Sequence, residues 1–232
     1  MAEEVCLITG VGPGTGAALA RRFASGYRVA MIARDAERLA ALEGEIEAAR
    51  AFPCNVADTS QLEDTVGQIQ QELGAPSVLI HNAVGGAFGD FLSIDPEVLD
   101  RNFQVNAMAL LRLAKRAAPA MIEARHGAIL CTGNTSAYRG KAGFAAFAPT
   151  KAAQRILAES MARHLGPAGI HVAYIAIDAV IDLQWTRKRW PDAADDFFCK
   201  PADIAGEVYR VAHQPRSAWS FESVIRPFGE NW

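Results

Sequence analysis

The chain has 232 residues, 50% of them hydrophobic and 21% charged, and a formal net charge of -3. That length suits one α/β domain with a sizeable core, and no linker-like stretch divides it. The balance argues against wholesale disorder and against broad attraction to nucleic acid, so a small molecule is the expected partner.

The first residues, Met1-Ala-Glu-Glu-Val-Cys6, are acidic where a secretory leader would be basic. No apolar run reaches the roughly 18 residues that span a bilayer, so a cytoplasmic protein without a membrane partner is expected. Val5 to Thr9 reads as a buried strand. It runs into Gly10-Val-Gly-Pro-Gly-Thr-Gly16 and then an Ala-rich helix from Ala17 to Ser25, ended by Gly26. Glycines at such a turn let the backbone approach a pyrophosphate, while unpaired N–H groups and the helix dipole stabilise its charge. Gly10, Gly12, Gly14, Thr15 and Gly16 are therefore candidate cofactor residues.

A second strand, Tyr27 to Ala33, ends at Arg34, at the distance where dinucleotide folds meet the adenosine ribose. Ala33 stands where a carboxylate would accept from a ribose 2′-hydroxyl. Arg34 could instead pair with a 2′-phosphate, which favours NADP over NAD. A helix over 36–47, a third strand over 51–56 and a helix capped by Asp58 or Ser60 and closed by Gly74 complete the first half.

The fourth strand, Val78 to His81, breaks at Asn82-Ala-Val-Gly-Gly86. Asn102 to Ala124 reads as a long helix that Pro119 must kink or shorten, with Asn106 inside it. A mid-helix asparagine is usually exposed or bonded to its own backbone. Ala128 to Thr132 is the fifth strand and opens into a loop rich in hydroxyls, amides and glycines. The next helix begins near Ala145 or Ala146, because Pro149 belongs in a first turn, and it runs to His164. Phe147 and Lys151 share its face. Strand six spans 171–177, a helix 201–213 and a last strand 221–226. The intervening Asp178 to Lys200 is expected to be a mobile substrate lid, in which Trp185-Thr-Arg-Lys-Arg-Trp190 interleaves cations with aromatics.

Cys6, Cys54, Cys131 and Cys199 have no CxxC spacing and read as packing thiols. The five histidines are scattered, and no metal site is expected.

With these pieces placed, the chain resembles the short-chain dehydrogenase/reductase family over essentially its whole length. Thr9-Gly10 with Gly14 and Gly16 matches the family's TGxxxGxG turn. Asn82-Ala83 matches its NAG motif, with Val84 in place of the glycine. Asn55-Val56 resembles the Asp-Val pair that borders adenine, Asn106 matches the catalytic-tetrad asparagine, and Lys151 matches the lysine of YxxxK. The resemblance implies a single doubly wound Rossmann domain, α/β, with a mostly parallel seven-stranded sheet and helices on both faces. It also implies an NADP(H) cofactor, a carbonyl or alcohol substrate, and a homodimer or homotetramer built through the helices ending near Ala124 and His164. Lys151 would hold the nicotinamide ribose, and Asn134 and Asn106 would order substrate and water.

The chain departs from the pattern where the family has its acid. The tyrosine position is Phe147 and the serine position is Asn134. A phenyl ring carries no proton, whereas an amide still donates a hydrogen bond to a carbonyl oxygen. The family's Pro-Gly after strand six is replaced by Asp178-Ala179, which makes Asp178 a candidate donor or substrate ligand. Tyr138, in the loop after strand five, is the better substitute acid, since some relatives that reduce enoyl thioesters use a tyrosine earlier in the chain. Two other readings compete with carbonyl chemistry: a regulatory protein that kept the cofactor cleft without turnover, and enoyl-type reduction.

Overall fold

A computed structural model describes residues 4–229; Met1 to Glu3, part of the stretch read for a leader, lie outside the described residues. Seven strands form one sheet: β1 (Val5–Thr9), β2 (Arg28–Ala33), β3 (Ala49–Pro53), β4 (Pro76–His81), β5 (Gly127–Gly133), β6 (Ile170–Ile177) and a last strand, Glu222–Ile225. Two two-residue strands, β7 (Val180–Ile181) and β8 (Phe198–Cys199), pair with each other, so the last strand is β9. The order across the large sheet is β3-β2-β1-β4-β5-β6-β9, and every pairing in it is parallel. The order reverses between β1 and β4, as in a doubly wound Rossmann sheet.

The strands read as continuous apolar runs because both faces are covered. In β1, Val5 and Leu7 face one core while Cys6 and Ile8 face the other. The same alternation divides β6, with Ile170, Val172, Tyr174 and Ala176 on the first side and Ala173, Ile175 and Ile177 on the second. The first core is closed by helices α3 (Thr59–Glu72), α5 (Ala109–Ala124) and α6 (Ala148–Leu165). The second is closed by α1 (Thr15–Phe23), α2 (Ala36–Glu45) and α8 (Pro201–Ala212). All four cysteines are free and buried, as packing thiols should be.

Local chemistry sets the helix starts. Asp35 and Asp58 accept from the N–H groups of Arg38 and Gln61 at the heads of α2 and α3, and such caps contribute about 1 kcal/mol each. Gly74, at φ +99°, closes the turn before β4.

Some boundaries differ from expectation. β3 starts and ends earlier than 51–56, because Asn55 leaves the strand in a side-chain turn whose Oδ1 accepts from Ala57 N–H. The long helix starts at Pro96, not Asn102, with Asp95 as its cap, so α4 (Pro96–Phe103) precedes α5 in one continuous rod. Between them Gln104–Met108 makes a π turn. Pro119 does not end α5: it lies on the exposed face, where the carbonyl deprived of its donor can bond water. α6 begins at Ala148 with Phe147 as the residue before it, two to three positions later than expected, and Pro149 still falls in the first turn.

The 178–200 segment, expected to be a mobile substrate lid, carries short elements of its own. Besides β7 and β8 it holds a short helix, α7 (Gln184–Arg189), and Arg187 joins Asp182 at 2.7 Å to Asp195 at 2.5 Å. Arg187 also lies over the Phe198 ring, so this cation of the Trp185–Trp190 run is engaged within the segment.

Candidate active site

At the carboxyl ends of β1, β4 and β5 the polar side chains tie the strands together. Asn82 donates from Nδ2 to Gly10 O (2.9 Å) and accepts at Oδ1 from Thr132 Oγ1 (2.9 Å), which bridges the glycine turn to β5. His81, one residue earlier, is fully buried. Its Nδ1 meets Thr9 Oγ1 at 3.0 Å and its Nε2 meets Val105 O at 3.0 Å. A carbonyl only accepts, so Nε2 carries the proton and Nδ1 accepts from the threonine. Burial pushes the His81 pKa down to about 3, with the nearby Lys151 charge adding to the effect.

The π turn makes this possible. Ala109 N–H bonds Gln104 O, five residues back, and so does not go to Val105 O, the acceptor that His81 uses. Asn106, in the same turn, is fully buried. Its Oδ1 accepts from Gly85 N–H (2.9 Å), and its Nδ2 donates to Gly85 O (2.7 Å) and Thr150 Oγ1 (2.8 Å). These bonds hold the loop after β4 and the head of α6, so Asn106 braces the site.

In the glycine turn, Gly10 sits at φ +71°, a left-handed backbone against which Ala83 packs too closely for any side chain. Gly12 faces open space, whereas Gly14 is covered by the side chain of Leu183 from the 178–200 segment. Thr15 and Gly16 open α1, where first-turn N–H groups have no helical acceptor, and the buried Thr15 Oγ1 has no partner among the described residues. An orphaned hydroxyl beside free donors and an open glycine fits a dinucleotide pyrophosphate.

Further along that edge, Arg34 is exposed and makes no ion pair among the described residues. Its neighbour Asp35 is occupied, capping α2 and pairing with Arg38 at 2.8 Å. Asn55 is exposed, Val56 is buried, and Val84 is exposed beyond the buried Ala83.

Lys151 is 2% exposed and donates from Nζ to Gln154 Oε1 at 2.9 Å. Its Nζ lies 5.8 Å from the centroid of the Phe147 ring. Burial brings its pKa down to about 8. Asn134 closes β5, and the buried Tyr174 phenol below it accepts from Asn134 N–H (3.2 Å) and donates to Asn134 O (3.3 Å). Asn134 Oδ1 accepts from Ser136 N–H, so the amide's donor end is the one left for a ligand.

The other acid candidates are engaged elsewhere. The Tyr138 phenol is half-exposed and donates to Glu222 on β9, with Arg155 over its ring, so the structure turns it to the sheet edge instead of giving it to Lys151. Asp178 accepts from Thr135 Oγ1 and lies 3.9 Å from Arg139. The loops after β4 and β5 are joined by backbone bonds, Gly89 N–H to Gly143 O (2.9 Å) and Ala145 N–H to Gly89 O (3.2 Å). His81, Thr150, Gln154 and Tyr174 were missed by the sequence reading. Gln154 alone carried a usable signal, standing three residues from Lys151 on one helix.

Among the described residues no cluster of three or more His, Cys, Asp or Glu could hold a metal ion, and no helix is long and apolar enough to cross a membrane. Residues 4–191 match the short chain dehydrogenase family model. A metagenomic short-chain oxidoreductase solved in complex with NADP is 28% identical, with a TM-score of 0.85 and 99% of each chain covered. A short-chain dehydrogenase from Rhodopseudomonas palustris is 30% identical at a TM-score of 0.83, over 97% of this chain and 99% of that one. Dehydrogenase/reductase SDR family member 4 of Homo sapiens is 26% identical, covering 97% of this chain and 86% of its own. The match over residues 4–191 and the likeness to solved relatives along the chain show that it belongs to the short-chain dehydrogenase family.

Proposed function

We propose that the protein is an NADP(H)-dependent oxidoreductase that moves a hydride between nicotinamide and a carbonyl or alcohol substrate. The observation that carries the reading is the buried Lys151 ammonium, on the helix that follows Asn134, whose amide donor is left for a ligand. Bound cofactor would supply the hydride at the nicotinamide ring. The chain's own tasks follow from its donors. The first turn of α1 and Thr15 Oγ1 bind pyrophosphate, Lys151 holds the nicotinamide ribose, and Asn134 Nδ2 donates to the substrate oxygen as charge develops there.

Arg34 supports NADP over NAD, because its guanidinium is uncommitted while the one carboxylate beside it caps a helix. The solved relative in complex with NADP is in line with that choice. We extend the reading to a homodimer or homotetramer through α5 and α6, whose Ile122 and Ile156 are exposed.

Phe147 favours a second reading, a cofactor-binding protein without turnover, since it leaves the usual phenol out of the site. The test is NADPH binding by fluorescence, followed by NADPH consumption with aldehydes, ketones, quinones and enoyl thioesters. Turnover of a carbonyl substrate is expected. Tight binding without consumption of NADPH across the panel would leave the second reading standing, and consumption confined to enoyl thioesters would replace carbonyl chemistry with enoyl reduction.

A further inference from the structure

We propose that Lys151 itself delivers the proton to the substrate oxygen, and that Gln154 is the positioning residue that holds its ammonium for that purpose. The inference rests on the oxidoreductase reading and starts from Phe147. A phenyl ring is one oxygen atom shorter than a phenol, and Lys151 Nζ lies 5.8 Å from its centroid. Nothing on Phe147 can relay a proton, so the ammonium beside it is the proton-bearing group on this face of α6.

Gln154 explains how the ammonium is kept in place. It is fully buried and accepts from Nζ at 2.9 Å, while its own Nε2 has no partner among the described residues. An ammonium only donates, so the amide must turn its oxygen inward and leave its nitrogen unpaired. A side chain serving only to fill space would need no amide here. A neutral acceptor also leaves the lysine easier to deprotonate than a carboxylate would.

In the step, an N–H bond of the ammonium breaks and an O–H bond forms on the carbonyl oxygen, whose carbon accepts the hydride of the reduced nicotinamide. The carbonyl is reduced to an alcohol, the nicotinamide is oxidised, and the neutral amine regains its proton from water. Other titratable groups buried on the strands beneath this site stay silent near neutral pH. Cys131 on β5 is pushed up to about 12 and His81 on β4 down to about 3 by burial, and burial also raises Tyr174 on β6.

The test compares two titrations of the full chain. Carbon-13 NMR of the Lys151 Cε reads the ammonium in the NADPH complex, and the pH profile of kcat/KM for the carbonyl substrate at saturating NADPH reads the acid in that same complex. Both should fall through the same midpoint near pH 8. Gln154→Leu should move both downward by at least about half a pH unit, and Gln154→Glu should move both upward by at least about one. Lys151→Arg keeps the charge without a labile proton at neutral pH, so at saturating NADPH kcat should fall at least about 100-fold.

A kcat/KM limb that fails to track the lysine titration overturns the proposal and leaves the oxidoreductase reading intact, as does a Lys151→Arg enzyme with more than about a tenth of wild-type turnover. Absence of wild-type turnover with any carbonyl overturns both. Should neither Gln154 variant fold, coincidence of the two midpoints in the wild type, together with Lys151→Arg, decides the matter.

Discussion

Lowering the pH should remove stability through His81, which is fully buried at the carboxyl end of β4, where burial and the nearby Lys151 charge oppose a second proton. The imidazole is neutral in the fold, donating to Val105 O and accepting from Thr9 Oγ1, and its pKa is held at about 3 against roughly 6.5 in an unfolded chain. A depressed folded pKa means that the unfolded state binds the proton first. Stability is therefore complete above about pH 6.5 and is lost as the pH falls towards 3. At about pH 5 the gap between the unfolded value and the solution corresponds to about 2 kcal/mol.

Urea unfolding followed by tryptophan fluorescence at pH 7.5, 6.0 and 5.0 measures the loss. His171, also lowered by burial, titrates in the same direction, so the comparison must be made against His81→Asn. The wild type should lose about 2 kcal/mol more than the variant between pH 7.5 and 5.0. Equal losses would refute the assignment. If the variant does not fold, nitrogen-15 NMR of the wild-type imidazole should still show a neutral ring protonated at Nε2 at pH 5.0.

Three further outcomes follow from the site. Arg34→Ala should weaken NADPH binding by about 10- to 100-fold, the worth of one charge-assisted hydrogen bond, and leave NADH nearly unchanged; equal effects would remove the phosphate-pairing argument. Tyr138→Phe should keep turnover within about twofold, because the phenol is bonded to Glu222, and abolished turnover would reinstate it as the acid. Gly133→Ala should cost about 3 kcal/mol in thermal or urea unfolding, since the added methyl falls on the Tyr174 phenol. An unchanged melting temperature would show that Tyr174 is free to move.

What could be read in advance depended on how far a residue reaches along the chain. The glycine turn and its flanking strand and helix are local features, and the continuous apolar runs of β1 and β6 mark strands covered on both faces. Those were legible. The roles of Asn106, Tyr138 and His81 were not, because each is fixed by a partner that no window of sequence contains. Tyr138 bonds Glu222, 84 residues on, and Asn106 bonds Thr150, 44 residues on. His81 needs a carbonyl freed by a π turn, which carries no composition signal. The resemblance named Asn106 and Lys151 as important without saying what their polar atoms touch. For Asn106 the touching groups turned out to be backbone and a threonine.

The π turn at Gln104–Met108 also sets the phase of the rod that contains it. A helical turn with one extra residue rotates everything beyond it by about 100° relative to a regular α-helix. On the near side Asn102 must reach Ala146 O, and on the far side Leu110 and Leu113 must face the sheet. A single rigid spiral would bring one of these sets into register at the other's expense. Deleting any one residue of the turn would straighten the rod and swing α5 by about a quarter turn against α4, separating the asparagines from the leucines they now accompany. The irregular turn lets one helix answer to two neighbours at different angles.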